Sequence, residues 1–249
     1  MSVLEKIKTI KEFVLDLLFP IECLGCGKEK VWLCGECLKK IPLNRGFACP
    51  VCGEKSVFGK TCPECAGQSP LDGLLSASFY GNKLLRSALQ SFKYKYVTDL
   101  SVPLGWLMSE YLRRLPAQLL EELLTYTIVP VPLHRKKLLE RGFNQSKLLA
   151  KELAKAFNFK IDAGILIRQK NTSPQANKKE RKRQANVEDA FACACEAKDG
   201  KSAAKTRPVP AKIILLDDVA TSGSTLQSAA QALKAAGAKE VWGLTLARG

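Results

Sequence analysis

The chain has 249 residues, 46% hydrophobic and 25% charged, a balance that can bury a core and excludes an intrinsically disordered protein. That length suits one α/β domain with a small appendage. Thirty-nine Lys and Arg against 24 Asp and Glu leave a formal charge of +15, which points to a polyanionic partner such as nucleic acid or a phosphate-rich ligand.

In residues 1–20, Val3, Ile7, Ile10, Val14, Leu17 and Leu18 recur at helical spacing and predict an amphipathic helix packed on its own protein. Glu5, Lys6, Lys8, Lys11, Glu12 and Asp16 interrupt its apolar positions, which argues against a secretory signal. No run reaches the roughly 18 apolar residues of a membrane span, so a cytoplasmic protein with no membrane span is expected. Cytoplasmic thiols stay reduced, and ten cysteines there mean metal binding rather than disulfides.

Residues 21–68 form the predicted metal module. Cys23 and Cys26, Cys34 and Cys37, Cys49 and Cys52, and Cys62 and Cys65 make four Cys-x-x-Cys knuckles separated by seven, eleven and nine residues. Two residues between thiolates let one turn present both sulfurs to an ion, and tetrahedral Zn²⁺ needs two such turns. Eight ligands therefore make two Zn²⁺ sites, with sequential pairing preferred over an interleaved one. His134, the only histidine, is remote in sequence, so the ligands are all cysteine. Four thiolates leave no place for an activated water, which makes the module structural or a docking surface. Metallation lowers the formal charge to about +11. Cys193 and Cys195 lack the knuckle spacing and read as alternating strand residues.

Across residues 71–249 short apolar runs alternate with helical patterns, predicting an α/β domain. A strand over 74–80 is followed by the turn Gly81-Asn82 and a helix with Leu84, Leu85, Ala88, Leu89 and Phe92 on one face. A second helical stretch covers 100–115. Residues 127–131 form a β-branched run stopped by Pro130 and Pro132; Asn144 caps a helix to Phe157, and a strand follows at 163–167. Residues 168–190 crowd Lys170, Lys178, Lys179, Arg181, Lys182 and Arg183 among few apolar anchors and predict a mobile loop; 196–212 is a surface insertion. A strand at 213–216, a helix at 225–236 ended by Gly237, and a strand at 240–246 complete a βαβ unit.

Between that last strand and helix lie Asp217, Asp218, Thr221, Ser222, Gly223, Ser224 and Thr225. Amides at a helix start, with these hydroxyls, form a cradle for a phosphate dianion, and Gly223 lets backbone approach closely. The two carboxylates stand where a sugar held by its 5-phosphate would offer its 2- and 3-hydroxyls, and they can position Mg²⁺. A P-loop would need the Gly-x-x-x-x-Gly-Lys pattern, which is missing here.

This segment resembles the phosphoribosyl pyrophosphate motif of type I phosphoribosyltransferases. Val129-Pro130-Val131-Pro132-Leu133-His134, Arg141-Gly142-Phe143-Asn144-Gln145, and the set Arg168, Thr172, Pro174-Gln175, Arg183, Asn186 and Phe191 are similar to the ComF family. With the knuckles, the resemblance covers nearly the whole chain. It implies a Rossmann-like parallel sheet of type I phosphoribosyltransferase form behind an N-terminal zinc-ribbon module. It also implies a pyrophosphate-side loop at 129–135, with Val131, Pro132 and His134 contacting ligand beside Asn144 and Gln145. A hood at 168–190 would bring Arg168, Gln175 and Arg183 over the site. His134 is open to two readings, ligand contact and loop packing, while Lys136 and Lys137 read as a solvated face.

The expected reaction is glycosyl transfer at ribose C1, with Asp217, Asp218 and Arg141 as the catalytic set: the acids hold the ribose, and Mg²⁺ with the Arg141 fork stabilises the departing pyrophosphate. No residue identifies the acceptor. The competing expectation is a non-catalytic protein of DNA uptake that binds single-stranded DNA or docks a helicase, keeping the pocket as a ligand sensor. Net charge favours that reading, although aromatics for base stacking are sparse at 168–190.

Overall fold

A computed structural model of the chain describes residues 20–170, 190–194 and 208–249. The expected N-terminal helix, Gln175, Arg183 and Cys195 lie outside the described residues.

The cysteine module carries two short helices, α1 (Gly35–Lys39) and α2 (Pro63–Ala66), each starting directly after a cysteine. Then come β1 (Gly73–Phe79), α3 (Lys83–Tyr94), α4 (Ser101–Arg113), α5 (Ala117–Leu123), β2 (Thr127–Pro130), α6 (Arg135–Arg141), α7 (Gln145–Phe157) and β3 (Lys160–Ile161). A hairpin of β4 (Leu166–Arg168) and β5 (Phe191–Cys193) precedes β6 (Lys212–Ala220), α8 (Ser224–Ala235) and β7 (Glu240–Arg248). Five strands form one sheet in the order β1-β7-β6-β2-β3, and every pairing is parallel. The α/β fold with an N-terminal zinc-ribbon module is as expected.

Parallel sheets are covered on both faces, so central strands read as unbroken apolar runs. In β6, Ile214 and Leu216 join one core with Leu85, Leu89 and Phe92 of α3, Leu104 and Met108 of α4, and Leu149 and Leu153 of α7. Ile213 and Leu215 join the opposite core with Leu226, Ala229, Ala230 and Leu233 of α8. The first half of the cysteine module belongs to the former: Cys23, Leu33, Cys34, Cys37, Leu38 and Ile41 are buried in it. A groove of about 500 Å³ remains between that half and α4, lined by Trp32, Leu38, Val102, Pro103 and Trp106. Among the described residues no helix is long and apolar enough to cross a membrane.

Several elements differ from expectation. The last-but-one strand does not stop at Leu216; it runs to Ala220, because β7 continues beside it and pairs Asp217 with Thr245 and Val219 with Ala247. Of the strand expected at 163–167 only the end is a strand, within β4 of the hairpin; the residues before it form a turn in which Gly164 N donates to Asp162 Oδ1 at 2.9 Å, and β3 on the sheet edge lies ahead of the expected range. Helices α5 and α6 had no counterpart in the sequence reading. The first is a seven-residue helix whose buried Leu119 and Leu123 make a stripe of a single i, i+4 step, too short to mark a helix by itself, and the second buries no residue.

Candidate functional site

The sulfurs of Cys23, Cys26, Cys34 and Cys37 lie within 4.8 Å of one another, as do those of Cys49, Cys52, Cys62 and Cys65. Sequential pairing is therefore the observed one. Cys26 and Cys34 Sγ are 3.7 Å apart and Cys52 and Cys62 Sγ 3.8 Å; sulfurs arranged tetrahedrally about Zn²⁺ at ~2.3 Å would be separated by about 3.8 Å. The donor sets fit two structural zinc ions. The second ribbon also repeats the first: Cys23 and Cys49 carbonyls accept from Gly27 and Gly53 at 2.9 and 3.1 Å, with both glycines left-handed. Backbone N–H groups of Cys34 and Cys62 donate to the Sγ of Cys23 and Cys49 at 3.3 and 3.5 Å. The string Cys-x-x-Cys-Gly at both places was the visible signal of this repeat.

The second site follows from sheet topology. The connection leaving β2 passes through α6 and α7, and α7 packs on one face; the connection leaving β6 passes through α8 on the other. Because β2 and β6 are neighbours, their outgoing connections part in opposite directions and open a crevice beyond their C-terminal ends, the ligand position of open α/β sheets. The Val131 N–H donates to the Leu216 carbonyl at 2.9 Å, closing the floor.

The two acids stand near the C-terminal end of β6, where this crevice opens. Asp217 is half-buried; its Oδ1 accepts from Ser146 Oγ at 3.0 Å and from the Asp218 N–H at 2.9 Å. Asp218 is buried at 2% exposure and pairs with the Lys93 ammonium of α3. Burial, then the charge of Asp218, pushes Asp217 up to about 7, with Lys93 opposing. The turn that follows is open: Thr221 and Ser222 are exposed, and Gly223, Ser224 and Thr225 are half-buried. Gly223 holds a φ of 73° ahead of α8, a left-handed value that suits glycine. Ser222 and Ser224 hydroxyls lie 3.0 Å apart.

The opposite wall comes from the β2–α7 connection. Asn144 spans it: its Oδ1 accepts from the N–H of Ser146 and Lys147 at 2.9 and 3.3 Å, and its Nδ2 donates to the Val131 carbonyl at 3.0 Å. That double use ties the loop through Val131 and Pro132 to the start of α7. Arg141 donates to the buried Gln145 Oε1 at 2.6 Å and stacks its guanidinium 5.6 Å from the Tyr94 ring centre. His134 Nδ1 accepts from the Lys136 N–H at 3.2 Å and thereby caps α6, a structural role that neither sequence reading contained. Arg168 lies over the Phe191 ring at 5.2 Å; burial holds its pKa below the ordinary value, with Asp217 opposing.

Sequence reasoning missed Lys93 and Ser146. Lys93 stands four residues after Leu89 and eight after Leu85, so it continues the buried stripe of α3 with a charge. That misfit was the available signal. Ser146, fully buried, follows the Asn144 cap and has no distinguishing pattern.

Twin four-cysteine ribbons leading into a parallel sheet of phosphoribosyltransferase-like form, with an acidic strand end at its switch point, define a zinc-ribbon α/β protein. Residues 14–66 match the double zinc ribbon domain. The chain is 30% identical over 239 residues to Competence protein F of Haemophilus influenzae, covering 92% of this chain and 98% of that one. It is 29% identical over 244 residues to Competence protein ComFC of Bacillus subtilis, covering 95% and 92%. It is 28% identical over 230 residues to the DNA utilization protein YhgH of Escherichia coli K12, covering 84% and 95%. The chain belongs to the ComF family.

Proposed function

We propose that the crevice binds a 5-phosphoribosyl pyrophosphate-like ligand and transfers its phosphoribosyl group to an acceptor, in a process connected with DNA uptake or utilisation. One observation carries this reading: two adjacent acids and an open hydroxyl-rich turn at a helix start share the switch point between β2 and β6. The turn from Thr221 to Thr225 takes the 5-phosphate, and Asp217 and Asp218 take the ribose hydroxyls. The C1–O bond to pyrophosphate breaks with its electron pair on the leaving oxygen, while an acceptor lone pair forms the new bond at C1.

Magnesium would arrive largely on the ligand's own phosphate oxygens, as that ion commonly does. Of the two acids, Asp217 suits it better, because Asp218 is already paired with Lys93. The ion would neutralise charge on the departing pyrophosphate. Arg141 stands on the same side, although its Gln145 bond and Tyr94 stack mean that it must turn to reach a phosphate.

Isothermal titration of phosphoribosyl pyrophosphate with Mg²⁺ tests the pocket. Wild type should bind, and Asp217→Asn with Asp218→Asn should lose at least about tenfold, the weight of one charge-assisted hydrogen bond. A wild type that binds nothing ends this reading.

A second reading has its own support. Tyr94 and Tyr96 are 65% and 55% exposed beside Lys95, an arrangement suited to stacking bases of single-stranded DNA. Three relatives carry competence or DNA-utilization names. Affinity for a single-stranded oligonucleotide that weakens with added salt would support it, and no affinity at low salt removes it.

A further inference from the structure

Helix α4 is apolar on two faces. Leu104, Leu107, Met108 and Leu112 are buried in the core, while Val102 and Trp106, on a different face, are 57% and 41% exposed. Val102, Pro103 and Trp106 follow helical spacing and make a second apolar stripe, with Asp99 just ahead of the helix. A helix that is apolar all round is normally covered all round. Here the outer stripe forms one side of the groove of about 500 Å³, and Ile21, Trp32 and Leu38 of the first ribbon form the other. Two of the chain's three tryptophans thus stand in one open apolar groove, a patch of the kind that marks an interaction site.

The chain itself leads a cover to this place. Ile21 lines the groove, and its carbonyl accepts from the Lys30 N–H at 2.7 Å, which fixes the point where residues 1–19 join the ribbon. In that segment Val3, Ile7, Ile10, Val14 and Leu17 recur at alternating steps of four and three, a 3.5-residue period that lays one continuous seam along a neighbouring helix. On such a helix Lys6 and Lys11 flank the seam, and Glu5, Glu12 and Asp16 lie opposite it in water. Asp99 at the groove offers a flanking lysine an opposite charge. Ile10 to Leu17 would span about 10 Å, as do the seven helical steps that end at Trp106. The match to the double zinc ribbon domain begins at residue 14, so Val14, Leu17 and Leu18 belong by sequence to the ribbon unit, ahead of its first cysteine. A segment tethered this closely meets its seat at an effective concentration on the order of millimolar.

We propose that residues 1–19 are the occupant of this groove, as an amphipathic helix whose Ile10, Val14 and Leu17 seat against Trp32, Leu38, Val102 and Trp106. The segment clamps the first ribbon to α4 and withdraws this face of the zinc module from other proteins.

The test replaces Val102 by the photo-crosslinker p-benzoylphenylalanine in the zinc-loaded full chain and maps the adducts by tandem mass spectrometry. The expected adduct joins position 102 to residues 7–18 of the same chain. An adduct at the mass of two chains, adducts confined to residues outside 1–19, or no adduct at all overturns the proposal. Tryptophan emission is a second readout that leaves the groove's own residues in place. In Ile10→Glu with Val14→Glu, acrylamide quenching should rise and emission move to longer wavelength, because Trp32 and Trp106 lose their cover while Trp242, at 1% exposure, stays shielded. Glu5→Gln with Glu12→Gln, on the opposite face, should match wild type. Equal quenching in wild type and in Ile10→Glu with Val14→Glu overturns the proposal as well.

Discussion

The two ribbons should be unequal in what they hold up. In the first ribbon Cys23, Cys34 and Cys37 are buried at 4%, 8% and 3% exposure and only Cys26 is exposed, whereas in the second only Cys49 is buried, Cys52 is exposed and Cys62 and Cys65 are half-buried. Leu33, Leu38 and Ile41 of the first ribbon are buried in the same core as α3, α4 and the sheet. At about 2 kcal/mol for each such side chain, unravelling that ribbon costs ~6 kcal/mol, a large part of the ~5–15 kcal/mol by which a domain is stable. The second ribbon places Phe47 and Phe58 edge-to-face at 5.8 Å, and both are only partly buried against the core, so its loss should cost about 2 kcal/mol. Cys37→Ser and Cys65→Ser are the matched variants. Atomic absorption should show each losing one zinc per chain. Melting followed by circular dichroism should show Cys37→Ser falling by about 12–24 °C and Cys65→Ser by less than about 8 °C. Equal decreases, or a wild-type melting temperature in Cys37→Ser, would refute the shared core.

Three further outcomes are expected. Gly105→Ala places a Cβ on Glu152 where α4 crosses α7, so urea unfolding should lose about 1–3 kcal/mol. Gly223→Val forces a β-branched residue to a φ of 73°; it should cost about 1–2 kcal/mol and weaken phosphoribosyl pyrophosphate binding, while the far-ultraviolet spectrum stays native. Asp217 is raised from 3.8 to about 7 by burial and by Asp218, so between roughly pH 4 and 7 the folded chain keeps a proton that the unfolded chain releases, and stability falls as pH rises. Asp217→Asn removes that slope. It should melt above wild type at pH 8 and level with it at pH 4, a gain in stability accompanied by loss of ligand binding; equal melting at pH 8 would contradict the cause given.

Much of this molecule was legible in its residues. The knuckle spacing predicted two four-cysteine sites, and Asn144 marked the start of α7, because a cap is a local demand that particular side chains meet. What escaped depends on neighbours distant in the chain. Strand β6 runs through Asp217 and Asp218 because β7 continues to pair with it, and no local property of two aspartates suggests a strand. Helix α6 buries nothing, so it left no periodic trace, and His134 gains its capping role only once that helix exists. Lys93 continues the stripe of Leu85 and Leu89, but only the sheet placed opposite makes it a buried charge.

The crevice has one more property. Its floor is strand backbone, but one wall hangs from α7 and the other from α8, which lie on opposite sides of the sheet. A molecule touching both walls acts as a strut between layers that otherwise meet only through the strands. Occupancy should therefore register throughout the fold, as slower hydrogen exchange in both helical layers at once, rather than as the quieting of a single rim.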